Sequence, residues 1–135
     1  MTKRDEIFMN IAKEVSKLSD YPRYHIGCVA VEGKRILSTA CNSQKTHPLQ
    51  RRYNRFRDVY NYPHKVHAEV ACLSPLIGKK DVDFSRISLY IYREHKNESL
   101  ALARPCASCA QLIKDLGIKN VYYTGENSLI YEKYN

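Results

Sequence analysis

The run Ile87-Ser88-Leu89-Tyr90-Ile91-Tyr92, then Cys106-Ala107-Ser108-Cys109-Ala110-Gln111-Leu112-Ile113-Lys114-Asp115-Leu116-Gly117, then Asn120-Val121-Tyr122-Tyr123-Thr124 sets the architecture of this chain. The first segment alternates and is rich in β-branched and aromatic residues, which fit a pleated surface, so it predicts a strand. The second predicts a helix over 106–116 with Gly117 as its C-cap. The third predicts another strand, followed by a Gly125-Glu126-Asn127 turn and a last short strand over 128–132.

Towards the N-terminus, residues 68–77 predict a second helix, bent at Pro75, which lacks a backbone donor, and closed by Gly78. Residues 43–66 are the least regular part; a short helix over 49–60 fits after Pro48, and Pro63 ends any helix before it. Residues 24–31 and 35–42 are strand-like and joined by Glu32-Gly33-Lys34, a β-hairpin. Ile7, Phe8, Ile11, Ala12, Val15 and Leu18 recur at helical spacing, and Thr2 with Asp5 resembles a capping box. Residues 4–19 therefore predict an amphipathic helix packed on a sheet. The order αββαβαββ contains a βαβαβ stretch, which implies parallel strands linked by crossover helices, with the hairpin adding an antiparallel pair. A three-layer α/β/α sandwich around a mixed five-stranded sheet follows. Ligands in such sheets sit beyond the carboxyl ends of the parallel strands, where the next helices begin.

The chain has 135 residues, enough for one domain with a buried core, and no linker or repeat divides it. Residues 1–135 are therefore expected to form a single domain. No stretch approaches the roughly 20 apolar residues that span a bilayer, and the N-terminus has no apolar run, so a cytoplasmic protein without membrane partners is expected. Five cysteines is an odd number, and two form a C-x-x-C pair, which favours a metal site in a reducing compartment over a disulfide framework. Cys28, Cys41 and Cys72 read as small core hydrophobes. The formal charge of +8 favours phosphorylated or polyanionic partners over acidic proteins.

His67-Ala68-Glu69 opens the second helix, and Pro105-Cys106-Ala107-Ser108-Cys109 opens the third. A catalytic zinc takes three protein ligands and keeps a fourth position for water, and one imidazole with two thiolates is a known set. His67, Cys106 and Cys109 supply it. Cysteines three apart at a helix start place both sulfurs on one side of the first turn, where the positive end of the helix dipole favours thiolates. Glu69, two residues beyond His67, suits a proton shuttle rather than a ligand. A C-x-x-C pair alone is more often structural zinc or a redox pair, but H-x-E followed by P-C-x-x-C is the signature of zinc deaminases.

These motifs, with the hairpin from His25 to Asn42, resemble the cytidine and deoxycytidylate deaminase superfamily over nearly the whole chain. Lys45-Thr46-His47-Pro48-Leu49-Gln50 and the stretch Gly117 to Tyr123 look closest to small phage-type deaminases. The resemblance implies a zinc cofactor, Glu69 as the group that moves protons, Asn42 as a sugar contact and the backbone N–H of Ala68 facing the base carbonyl. It also makes a homo-oligomer plausible. The short turn between the last two strands looks like nucleoside-type cytidine deaminases, whereas other branches insert a helix there.

Three functions fit the residues. The first is deamination of cytosine to uracil in a free nucleoside or nucleotide, with Lys45, His47, Arg51 or Arg52 holding a 5′-phosphate. The second is deamination of cytosine in single-stranded DNA or RNA, since Arg51-Arg52-Tyr53-Asn54-Arg55-Phe56-Arg57 interleaves cations with aromatics. The third is a non-catalytic module stabilised by zinc, which has no need of Glu69. The basic run also fits a solvated helix face with Tyr53, Phe56 and Tyr60 inward.

Overall fold

The computed structural model describes residues 1–57 and 65–134. Helix α1 (Lys3–Ser16) is followed by strands β1 (Ile26–Glu32) and β2 (Arg35–Cys41) and a short helix α2 (Pro48–Tyr53). Then come α3 (Ala68–Leu73), β3 (Ile87–Arg93), α4 (Ala107–Leu116), β4 (Asn120–Thr124) and β5 (Leu129–Lys133). The expected order holds, with α2 added. That helix is shorter than the sequence allowed: it ends at Tyr53 and continues as a single 3-10 turn through Phe56. Tyr60, Pro63 and His64 lie outside the described residues. Pro75 does interrupt the second predicted helix, since α3 stops at Leu73 and a 3-10 turn carries the chain through Leu76.

One sheet runs in the order β2-β1-β3-β4-β5. Strands β3 and β4 pair in parallel; β1 pairs antiparallel with both β2 and β3, and β5 antiparallel with β4. Thus β2, β3 and β4 point the same way, as the βαβαβ pattern requires, but β1 is inserted between β2 and β3. Burial explains the choice. The middle of β1, Gly27-Cys28-Val29-Ala30-Val31, is wholly buried, whereas β2 carries Arg35, Ser38 and Thr39 and tolerates an edge. The final hairpin is antiparallel, as the short turn after Thr124 predicts.

Alternation along the strands splits the core in two. Cys28, Ala30, Ile87, Leu89, Ile91 and Val121 face α3 and α4, while Val29, Val31, Tyr90 and Tyr92 face α1. On the first side, Leu73, Leu112 and Ile113 complete the layer. On the second, α1 is rotated relative to its apolar pattern: Phe8, Met9 and Ala12 are buried, but Ile7 is 54% exposed. The helix also ends at Ser16, short of the expected residue 19, so Leu18 falls outside it and is 76% exposed. The cause of the rotation is a close backbone approach at Gly27, where an added Cβ would lie 2.0 Å from Ala12 O and 2.7 Å from Ser16 N. Small and polar residues must therefore face the sheet there, and Asp5 is buried with them. Its Oδ1 accepts from Tyr90 Oη at 2.6 Å, and the expected capping box with Thr2 is formed. None of the helices among the described residues is long and apolar enough to cross a membrane.

Candidate active site

Two helix starts meet at the carboxyl ends of β2 and β3. His67 is the N-cap of α3 and Cys106 the N-cap of α4, so the predicted helix over 106–116 begins one residue later, at Ala107. Cys109 lies in the first turn of α4, and Gly117, with φ of 87°, adopts the left-handed conformation that closes it. His67 Nδ1 stands 3.5 Å from Cys106 Sγ and 3.4 Å from Cys109 Sγ, and the three donor atoms lie within 4.8 Å of one another. A tetrahedral zinc with its usual bond lengths separates a nitrogen and a sulfur ligand by about 3.6 Å. The donor set and its spacing therefore fit zinc, and the three residues leave one position for a non-protein ligand. Cys28 and Cys72 are buried and Cys41 half-buried, none of them in a disulfide.

Without metal, the protons are shared unequally. The Cys106 thiol is pulled down to about 3, chiefly because Cys109 donates to it; burial opposes this, and His67 and Ser108 add to it. The Cys109 thiol is pushed up by the same bond and by its own burial. Burial pulls the imidazole of His67 down, but its bond to Cys106 and the charge of Glu69 reverse that, so its net shift is upward. Metal binding requires both thiolates and a neutral imidazole, so it must release protons from this cluster.

Glu69 lies on the first turn of α3 beside these donors and is 4% exposed. Burial raises its carboxyl, against the lowering charge of His67, with Cys106 raising it further. Glu69, His67 and Cys106 line a cavity of about 200 Å³ with Ile26, Asn42, Arg57, Arg93 and Arg104. Asn42 is thus in the site. Its Oδ1 accepts from Ile26 N at 2.9 Å and its Nδ2 donates to Tyr24 O at 3.0 Å, which leaves one amide N–H for a ligand. Ala68, fully buried, is the first residue of α3, between His67 and Glu69.

The other expected contacts fall elsewhere. Lys45 and His47 do not line this cavity, nor do Arg51 and Arg52. Lys45 is exposed, and its carbonyl accepts from Val66 N. His47 caps α2, with Nδ1 accepting from Leu49 N at 3.0 Å. Arg51 and Arg52 are exposed because α2 turns Gln50 and Asn54 inward instead. From the basic run, Arg57 reaches the site, 3.3 Å from His67 Nε2. Tyr53 spends its hydroxyl on Asp115.

Gln50 is the residue that sequence reasoning overlooked. It is fully buried, its Oε1 accepts from His67 N at 3.0 Å, and its Nε2 donates to Asn54 Oδ1 at 2.8 Å. It thereby fixes the backbone that carries the histidine. The available signal was a pair of amides four apart, Gln50 and Asn54, beside the apolar Leu49 and Tyr53. Arg93 and Tyr24 were also unmarked, since one ends a strand and the other precedes one.

The fold is that of nucleoside and nucleotide deaminases. It resembles dCMP deaminase from the cyanophage S-TIM5, with TM-score 0.63 and 23% identity over 91% of this chain and 84% of that one. It also resembles cytidine deaminase from Burkholderia pseudomallei, with TM-score 0.68 and 16% identity over 98% and 93% of the two chains. A third match is cytidine deaminase from Mycobacterium tuberculosis, with TM-score 0.51 and 18% identity over 87% and 85%. No curated protein matches by sequence. Residues 2–125 match the cytidine and deoxycytidylate deaminase zinc-binding region, and the chain belongs to that family.

Proposed function

We propose that residues 1–135 form one deaminase domain that hydrolyses the exocyclic amine of cytosine in a free nucleoside or nucleotide, giving uracil and ammonia. The observation that carries this reading is the three-donor cluster of His67, Cys106 and Cys109 at a cavity walled by the buried Glu69. A purely structural zinc is closed by four protein ligands and needs neither the cavity nor the carboxylate.

A zinc ion held by His67, Cys106 and Cys109 supplies Lewis-acid activation of a water molecule at neutral pH. Glu69 takes a proton from the attacking water and passes it to the ring nitrogen beside the attacked carbon. It then takes the remaining proton of the added hydroxyl, as the new carbonyl forms, and delivers it to the amine that departs as ammonia. Its burial favours the protonated form during the middle of that sequence. The backbone N–H of Ala68 holds the base carbonyl, and the remaining N–H of Asn42 holds the sugar. The fold supports these placements because the start of α3 and the end of β2 meet at one cavity.

The test is ammonia release by zinc-loaded protein from cytidine, deoxycytidine, their 5′-monophosphates and a cytosine-containing single-stranded oligonucleotide. Turnover of the small substrates, lost by a factor of roughly 10² or more in Glu69→Gln with zinc content retained, is expected. Turnover of the oligonucleotide alone, falling steeply with added salt, would replace this reading with one of nucleic-acid editing.

A further inference from the structure

A second cavity, of about 370 Å³, adjoins the metal cavity and shares two residues with it, Tyr24 and Arg93. The guanidinium of Arg93 lies over the Tyr24 ring, 4.9 Å from its centroid. Arg93 is half-buried and has no carboxylate within ion-pair distance among the described residues. Arg104, on the metal cavity's wall, differs: both oxygens of Glu132 occupy it, at 3.1 and 2.8 Å. The second cavity adds Arg23 and Lys96, and also Lys17, whose ammonium is paired with Glu14 at 3.3 Å. Of its two carboxylates, Glu94 is bound by Tyr92 Oη at 2.6 Å and Glu98 is exposed. Excess positive charge therefore stands behind the wall that Tyr24 and Arg93 form.

A guanidinium held over an aromatic ring by a cation–π contact keeps N–H groups available for a charge-assisted bond to a phosphate. The sugar end of the metal cavity is the end nearest this wall, because Asn42 is bonded directly to the Tyr24 carbonyl. We propose that the substrate carries a phosphate on its sugar, and that Arg93, packed over the Tyr24 ring, grips it together with Arg23 and Lys96. The substrate class is thus a cytosine nucleotide rather than a nucleoside. This assignment rests on the deaminase reading for the position of base and sugar.

The experiment compares kcat/KM for deoxycytidine, dCMP and a short oligonucleotide of deoxycytidine in the wild type, Arg93→Gln, Arg23→Gln and Lys96→Gln. Wild-type preference for dCMP over deoxycytidine by 10-fold or more is expected, and Arg93→Gln should cut that ratio about 10-fold or more, consistent with a charge-assisted bond. Preference for the oligonucleotide over dCMP, lost in the same variants, also supports the site and identifies a phosphodiester as the source. Equal use of deoxycytidine and dCMP overturns the proposal, as does an equal loss on both substrates in Arg93→Gln. If Arg93→Gln does not fold, the two exposed positions carry the comparison. If no substrate turns over, the deaminase reading fails, and calorimetric titration of the zinc-loaded protein with dCMP and deoxycytidine decides the phosphate site. Tighter dCMP binding that depends on these cations sustains it, and equal or absent binding overturns it.

Discussion

Replacing Gln50 by methionine keeps the side chain's length and removes both of its hydrogen bonds. His67 N loses its acceptor at 3.0 Å and Asn54 Oδ1 loses a donor at 2.8 Å. Each such bond contributes about 0.5–1.5 kcal/mol, and a buried N–H left unpaired costs more, so a loss of about 1–3 kcal/mol is expected. Urea unfolding of the zinc-free protein at pH 7 measures it. Zinc affinity, read by competition with a chromophoric chelator, is the second measurement. Groups that orient a metal ligand are typically worth 10–100-fold in affinity. Gln50 acts through the backbone of His67, so the lower end, about 10-fold, is expected. A stability change under about 0.5 kcal/mol together with unchanged zinc affinity would refute the reasoning. A stability loss alone would confine Gln50 to holding α2 against the start of α3.

Gly27→Ala forces a Cβ to within 2.0 Å of Ala12 O and should cost at least about 3 kcal/mol by pushing α1 off the sheet, measured by urea midpoint. Burial raises the Asp5 carboxyl, but its bonds from Tyr90 and Thr2 outweigh that and leave it lowered. A depressed folded value means stabilisation present above the unfolded value and lost as pH falls through the folded one. Tyr90→Phe should therefore cost about 1.5–3 kcal/mol at pH 7. The gap to wild type should narrow below about pH 4, and a gap that stays constant with pH would contradict this. Cys109→Ala should lower zinc content well below that of the wild type by metal analysis. Excess chelator should lower the wild-type melting temperature and leave that of the variant nearly unchanged.

The local features of this protein were legible because they depend on near neighbours in the chain. Alternation at Ile87–Tyr92, the Gly117 cap and the Thr2–Asp5 box each need only a few residues to declare themselves. The donor set was legible for a chemical reason: zinc ligation needs specific residue types, and His67, Cys106 and Cys109 stand at helix starts that the fold brings within 4.8 Å. Tertiary packing alone decided the rest. It placed β1 between β2 and β3, because the more fully buried strand takes the interior position. It rotated α1 so that Ile7 faces outward, because Gly27 admits the helix backbone rather than large side chains. It also decided which cations face the cavity. Sequence shows a basic run at 51–57, yet Arg51 and Arg52 point to solvent while Arg57 and the distant Arg93 line the site. Charge count is a property of the chain, whereas the direction a guanidinium faces is set by the elements packed around it.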